Sequence, residues 1–279
     1  MKRVIRWILI VVCLVIFLFA GYKLISTHLE YQKADNFYDQ TANQFVSAAP
    51  PIVTEQKHVS SVPKPETQDP SANESQTKEP TVSEEPVITD ICPIFVDFPS
   101  LLGVNDEVVG WLYCEDTVIN YPIMRADDNI SYLHRMLDGT YNYSGSPFMD
   151  YRCSSDFSSG NSVIYGHNMN NGTMFHTLVD YTDQAFYDEH PVMCLLTPDG
   201  NYALYLFAGF VTASDSWVYT FHFEDDVEKE EYLQGCIENS TFTAGFTPTV
   251  EDTLVTLSTC TYDYSNARYV VMGVLRPAY

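Results

Sequence analysis

The chain has 279 residues, with 37 acidic side chains against 14 basic ones and a formal net charge of −23. That excess repels polyanions, so nucleic acid is excluded as a partner. The negative surface serves solubility, with attraction of an amine or a basic substrate region as the sharper reading.

The segments differ sharply along the chain. Lys2, Arg3 and Arg6 precede an uncharged apolar run, Trp7 to Tyr22, which Leu24 and Ile25 extend while Lys23 snorkels to the interface. Residues 1–6 are therefore expected in the cytoplasm, 7–25 as a transmembrane helix and the remainder outside the cell. A cleaved signal peptide is the other reading, but Ala20-Gly21-Tyr22 is a poor cleavage site. Leu29, Phe37, Tyr38 and Phe45 at loosely helical spacing predict a juxtamembrane helix over 26–48. From 49 to 90, seven prolines among Ser, Thr and Glu mark a disordered tether. In polyproline-like form it would lift the remainder of the chain from the bilayer by up to about 100 Å.

Residues 91–279 suffice for one domain, mainly β with short α-helices. They carry 26 acidic and six basic side chains. GWLYCEDTVINYPIM reads as two strands and a tight turn, with Trp111, Tyr113, Val118, Ile119 and Tyr121 as β-formers. DDNISYLHRML reads as a short helix capped by Asp127 or Asp128, with Ile130, Leu133 and Leu137 on one face. Thr173 to Tyr181 suggests another helix. Ser162 to Tyr165 is a strand that Gly166 breaks before His167, a side chain suited to proton exchange near neutral pH. NYALYLFAGFVT, 201–212, is a strand, and DDVEKEEYLQGCIENS is a helix opening with acidic residues. Its carboxylates follow a helical pattern without the glycine of a calcium loop, and no metal or cofactor is expected.

The last stretch, 252–276, alternates Leu254, Thr256 and Ser258 with Val255, Leu257 and Thr259, the period of a strand that ends at Cys260. A turn-rich loop, Thr261 to Ala267, leads to a second β-branched run opened by Arg268. Antiparallel pairing would set Arg268 beside Cys260, where a guanidinium can favour a thiolate or receive a developing oxyanion. The bland alternative is a buried cysteine and a surface arginine. Of the seven cysteines, Cys13 lies in the apolar run and Cys92, Cys114, Cys153, Cys194 and Cys236 are an odd set without a motif, expected as small core residues rather than disulfides.

TLSTC resembles the TLxTC signature of sortases, YGHNM with the following GTMF resembles the class B histidine segment, and NARYVVMG resembles the arginine strand. The resemblance runs in order from DEVVGWLY and INYPIMRADDNISYL through SPFMDYR to the final strand. It implies a closed eight-strand β-barrel with short helices, the helix between the 201–212 strand and TLSTC being a class B feature. It also implies a catalytic trio of His167, Cys260 and Arg268. Less directly, it points to Asn129, Leu133, Trp217, Val218 and Ser258 as substrate-binding residues, with core packing the alternative for Leu133 and Val218. The activity implied is cleavage of a C-terminal sorting motif of secreted proteins through a Cys260 thioester, followed by transfer to an amine of a peptidoglycan precursor. Two departures stand out: the segment before the domain is long, and the step from Cys260 to Arg268 is eight residues where some class B members have ten. Asp263, in that shortened loop, is a candidate to orient His167 but is left outside the trio. The alternatives are an exported cysteine peptidase or carboxypeptidase that resolves the thioester with water, a class B-like pilin polymerase, and a tethered binding module on the same barrel.

Overall fold

The computed structural model describes residues 2–49 and 92–278. In chain order the elements are α1 (Lys2–Phe45), β1 (Val46–Ala48), β2 (Ile94–Val96), α2 (Phe98–Leu102), β3 (Val108–Tyr113), β4 (Asn120–Met124), β5 (Phe148–Met149), β6 (Asn161–Tyr165), α3 (Gln184–Glu189), β7 (Val192–Thr197), β8 (Gly200–Ala213), α4 (Asp226–Asn239), β9 (Thr253–Cys260) and β10 (Ala267–Pro277). Strands β3 to β10 close into an eight-strand barrel in the order β10-β8-β7-β3-β4-β5-β6-β9. Most neighbours are antiparallel, but β4 runs parallel to β5, and β6 runs parallel to the cysteine strand β9. That parallel pair is what brings the histidine segment to the cysteine.

The barrel strands are apolar on both faces because both are covered. Leu112, Ile123, Ile164, Leu195, Leu204, Val255, Leu257 and Val271 fill the interior. Phe207, Phe210, Leu254, Val270 and Met272 face outward under Tyr232, Leu233 and Cys236 of α4. Asp225 caps α4 by accepting from the Glu228 N–H at 2.9 Å, which accounts for the acidic opening of that helix.

Three expectations need correction. The 127–137 helix is a single 3₁₀ turn, Ser131–Leu133. Its N-cap position is Ile130 rather than Asp127 or Asp128, though the Asp128 carboxylate accepts from the N–H groups of Ile130 and Ser131. The chain then reverses through Gly139 in the left-handed region, with Arg135 bridged to Tyr141, so Ile130 is exposed while Leu137 is buried. The 173–181 segment is likewise 3₁₀ helix, over His176–Thr182. Finally, Cys92 and Cys194 are not separate core residues but form a disulfide. They are 102 positions apart, and only the fold sets them 5.5 Å apart at Cα.

Helix α1 does more than carry the apolar run. Its first half is exposed and apolar, whereas Ala34, Tyr38, Thr41 and Phe45 form one buried stripe. The Tyr38 hydroxyl donates to the Gly145 carbonyl at 2.6 Å, the Asn142 amide donates to the Glu30 carbonyl at 3.0 Å, and Phe45 joins Val96, Leu101 and Trp111 in a shared core. The helix expected over 26–48 is thus continuous with the apolar run and docked on the barrel, with Val46–Ala48 leaving it to pair with β2. The tether expectation, 49–90, lies outside the described residues from position 50 onward. The described residues on either side of it lie close together, the Ala49 N–H donating to the Pro93 carbonyl at 2.8 Å, so α1 sets the distance from the apolar run to the barrel.

A chain starting at residue 92 should therefore melt below one starting at residue 26. Losing the contacts of Tyr38 and Phe45 costs about 3–5 kcal/mol for each large aromatic. On the order of 10 °C or more is expected for a domain this size. Equal melting temperatures by calorimetry would show that the helix is not part of the folded unit.

Candidate active site

Strand β9 lies between two neighbours that each supply a functional side chain. On one side, β10 pairs antiparallel with Arg268 directly opposite Cys260. Asn266 adopts a positive φ of 63° in the intervening turn, a conformation that asparagine tolerates. On the other side, β6 pairs in parallel, ending with Tyr165 opposite Ser258. Continued by two residues, that register sets His167 beside Cys260. Gly166 makes the exit possible, since a Cβ there would lie 2.5 Å from the Phe175 ring. The junction is tied by the Thr259 hydroxyl donating to the Gly166 carbonyl and the Gly166 N–H donating to the Ser258 carbonyl.

Cys260, His167 and Arg268 are each partly exposed and line one cavity of about 260 Å³. His167 is oriented by a backbone group: its Nε2 lies 2.8 Å from the Leu133 carbonyl. A carbonyl only accepts, so Nε2 carries the proton and Nδ1 is left for proton exchange. Asp263 does not take that role, because its carboxylate accepts from the Thr261 hydroxyl in its own turn. Asn168 supports the other partner, donating from Nδ2 to the Cys260 carbonyl at 2.8 Å while its Oδ1 accepts from His176 Nδ1 at 2.6 Å. Arg268 Nη1 donates to the Ala267 carbonyl at 2.9 Å, which fixes the base of its fork.

Burial pushes the His167 pKa below its ordinary value of 6.5. The hydrogen bond to the Leu133 carbonyl opposes this, and His134, stacked on His167 with ring centroids 5.7 Å apart, adds to it. A histidine with a depressed folded pKa contributes stability above its unfolded pKa that is lost as pH falls through the folded value. The melting temperature should accordingly drop as pH is lowered from about 7 to about 5. His167→Gln should flatten part of that slope in a pH series of thermal melts, and an unchanged slope would assign the dependence to other groups.

The five residues expected to bind substrate separate into two sets. Asn129, Leu133 and Ser258 line the cavity; Trp217 and Val218 do not. Val218 is wholly buried under α4, and Trp217 packs on Phe210 and Tyr232. Residues Trp217–Tyr219 form a 3₁₀ turn, in which successive side chains point about 120° apart. Only the third, Tyr219, lines the cavity, its hydroxyl 2.9 Å from Ser258 Oγ. Sequence reasoning stopped one residue short of it. Asn129 is held rather than free: it donates to Asp150 at 2.8 Å and accepts from the Tyr151 N–H. Asp150 is buried, which pushes its pKa up, but hydrogen bonds from Arg152, Asn129 and Tyr165 outweigh that and hold it below the usual carboxylate range. This explains the SPFMDYR segment as a scaffold. Phe148 and Tyr165 complete an aromatic wall, and neither carried a sequence signal of its own.

A thiol set between an imidazole and a guanidinium, at the mouth of a mixed eight-strand barrel, defines a cysteine acyl-transfer site. The chain belongs to the sortase family: the model described as the sortase domain matches residues 112–276, more than half its length. Within that family it is a class B sortase, a cysteine transpeptidase of the cell envelope. It is 37% identical over 177 residues to sortase B of Listeria monocytogenes, covering 63% of this chain and 72% of the relative. It is 28% identical to sortase B of Staphylococcus aureus over 276 residues, 98% of this chain and 97% of the other. The solved Staphylococcus aureus sortase B–substrate complex superposes with a TM-score of 0.63 at 30% identity, covering 65% of this chain and 85% of that one.

Proposed function

We propose that this enzyme is a membrane-anchored transpeptidase that cleaves a C-terminal sorting motif of secreted proteins and joins the new end to an amine of a peptidoglycan precursor. Residues 7–25 hold it in the membrane with the N-terminus inside and the barrel outside. The single observation that carries the reading is the position of Cys260, on the strand between those that carry His167 and Arg268, all three opening into one cavity. Cys260 as thiolate attacks the scissile carbonyl carbon and forms a tetrahedral oxyanion, which the Arg268 guanidinium and nearby backbone N–H groups stabilise. Collapse breaks the C–N bond, His167, made imidazolium by the proton that left the Cys260 thiol, gives that proton to the leaving amine, and a thioester remains. The acceptor amine then attacks the thioester, His167 removes its proton, a new amide forms and Cys260 leaves as thiolate. Asn129, Leu133 and Ser258 line the sorting-peptide path, with Tyr219 added to them. Trp217 and Val218 reach the peptide only if the 217–219 turn rearranges.

The test is product analysis of a sorting peptide incubated with and without an amine acceptor. The reading expects a ligated peptide whose yield rises with amine concentration while the hydrolysed product falls. Hydrolysis at the same rate whatever the amine would instead make this an exported cysteine peptidase.

A further inference from the structure

We propose that the catalytic mouth rests on the outer face of the bilayer, with a rim of exposed tyrosines, Tyr141, Tyr143, Tyr262 and Tyr264, contacting the lipid headgroup layer. The inference rests on the membrane-anchor reading and specifies the height and face of the barrel that such an anchor imposes.

Because α1 is one unbroken helix from Lys2 to Phe45, residue number along it measures height above the membrane at about 1.5 Å per residue. The apolar run ends at Ile25, and the bilayer's headgroup layer adds about 5–8 Å on each side of the hydrocarbon. A groove beside the active site is lined by Thr27 and Tyr31 of α1 together with Tyr143, Asn168 and Tyr262. These loops therefore sit about 3–9 Å above the end of the apolar run, at headgroup height. Asn168 is the residue bonded to the Cys260 carbonyl, and Tyr262 lies two positions after Cys260, so the mouth itself is at this level. The opposite end of the barrel is far higher. Phe45 packs with Leu101 of α2, fourteen residues beyond Tyr31, about 20 Å further from the bilayer.

The rim has the chemistry of a membrane interface. Tyr262 is 77% exposed, Tyr141 60%, Tyr143 51% and Tyr264 49%. Tyrosine is enriched where a ring meets acyl chains and its hydroxyl meets water. The occupant is therefore a lipid surface, which α1 already supplies.

The test uses the full chain in phosphatidylcholine vesicles with nitroxide labels placed singly by Tyr262→Cys, Val104→Cys and Ile16→Cys. Cys13→Ser and Cys260→Ser remove the two accessible thiols; Cys114, Cys153 and Cys236 are buried, and Cys92 and Cys194 are bonded to each other. Relaxation by oxygen, which concentrates in lipid, is compared with relaxation by a water-soluble nickel complex. The proposal expects a several-fold higher oxygen-to-nickel ratio at position 262 than at the exposed, distal position 104, with position 16 highest. A ratio at 262 equal to that at 104, with 16 still in lipid, would overturn the proposal while leaving the anchor intact. Water-like values at all three positions would overturn both.

Discussion

Cys260→Ala is expected to leave no measurable cleavage of a sorting peptide, a loss on the order of 10⁶ as for nucleophile removal in related acyl-transfer machinery. The fold should survive, because the side chain is partly exposed at a strand end and the hydrogen bond from Asn168 reaches the backbone carbonyl, which alanine keeps. No other thiol in the barrel can substitute. Burial pushes Cys114 up, Cys153 up to about 11 and Cys236 up to about 12, so their thiolates are scarce at neutral pH. A methanethiosulfonate reagent should then inactivate the enzyme through Cys260, and substrate peptide should protect it. Near wild-type turnover by Cys260→Ala, at an unchanged melting temperature, would remove Cys260 from the chemistry.

Arg268→Lys separates charge from shape. Lysine keeps the positive charge opposite Cys260 but loses the planar fork of donors, so the change is not conservative at this position. A loss of about 10² to 10³ in rate is expected, as for removal of one oxyanion donor. Arg268→Ala should lose more, because both the charge and the fork of donors are then gone. Steady-state cleavage of a sorting peptide by both variants decides. A lysine variant with near wild-type cleavage would mean that charge alone matters, and a fully active alanine variant would take Arg268 out of the site.

The range of the forces involved decides how much of the fold and the site is legible in the sequence. The runs at 162–165, 201–212 and 254–260 became strands because β-branched and aromatic content and, in the last, alternation act locally, and the short turn after Cys260 was enough to set Arg268 across from it. The histidine needed more. Its pairing beside β9 is parallel and 93 residues distant, so only the family resemblance joined His167 to Cys260. The Cys92–Cys194 bond, the Leu133 carbonyl that holds His167 and the docking of α1 had no signature, because each depends on which surfaces the finished barrel brings together. Tyr38 and Phe45 were visible as a helical stripe, but a stripe does not name what it packs against. Trp217 and Val218 were displaced from the site by a 3₁₀ turn, whose tighter period rotates the pointing residue to Tyr219.

The most direct measurement traps the thioester. Wild-type enzyme mixed with a sorting peptide in the absence of amine is acid-quenched and digested, and the fragment bearing Cys260 is weighed by mass spectrometry. The expected result is an acyl adduct on Cys260 that is absent from Cys260→Ala, accumulates less in His167→Ala, and discharges into a ligated peptide when amine is added before the quench. Peptide cleavage at full rate with no adduct on Cys260, or an adduct on another residue, would contradict the assignment of Cys260 as the acyl carrier.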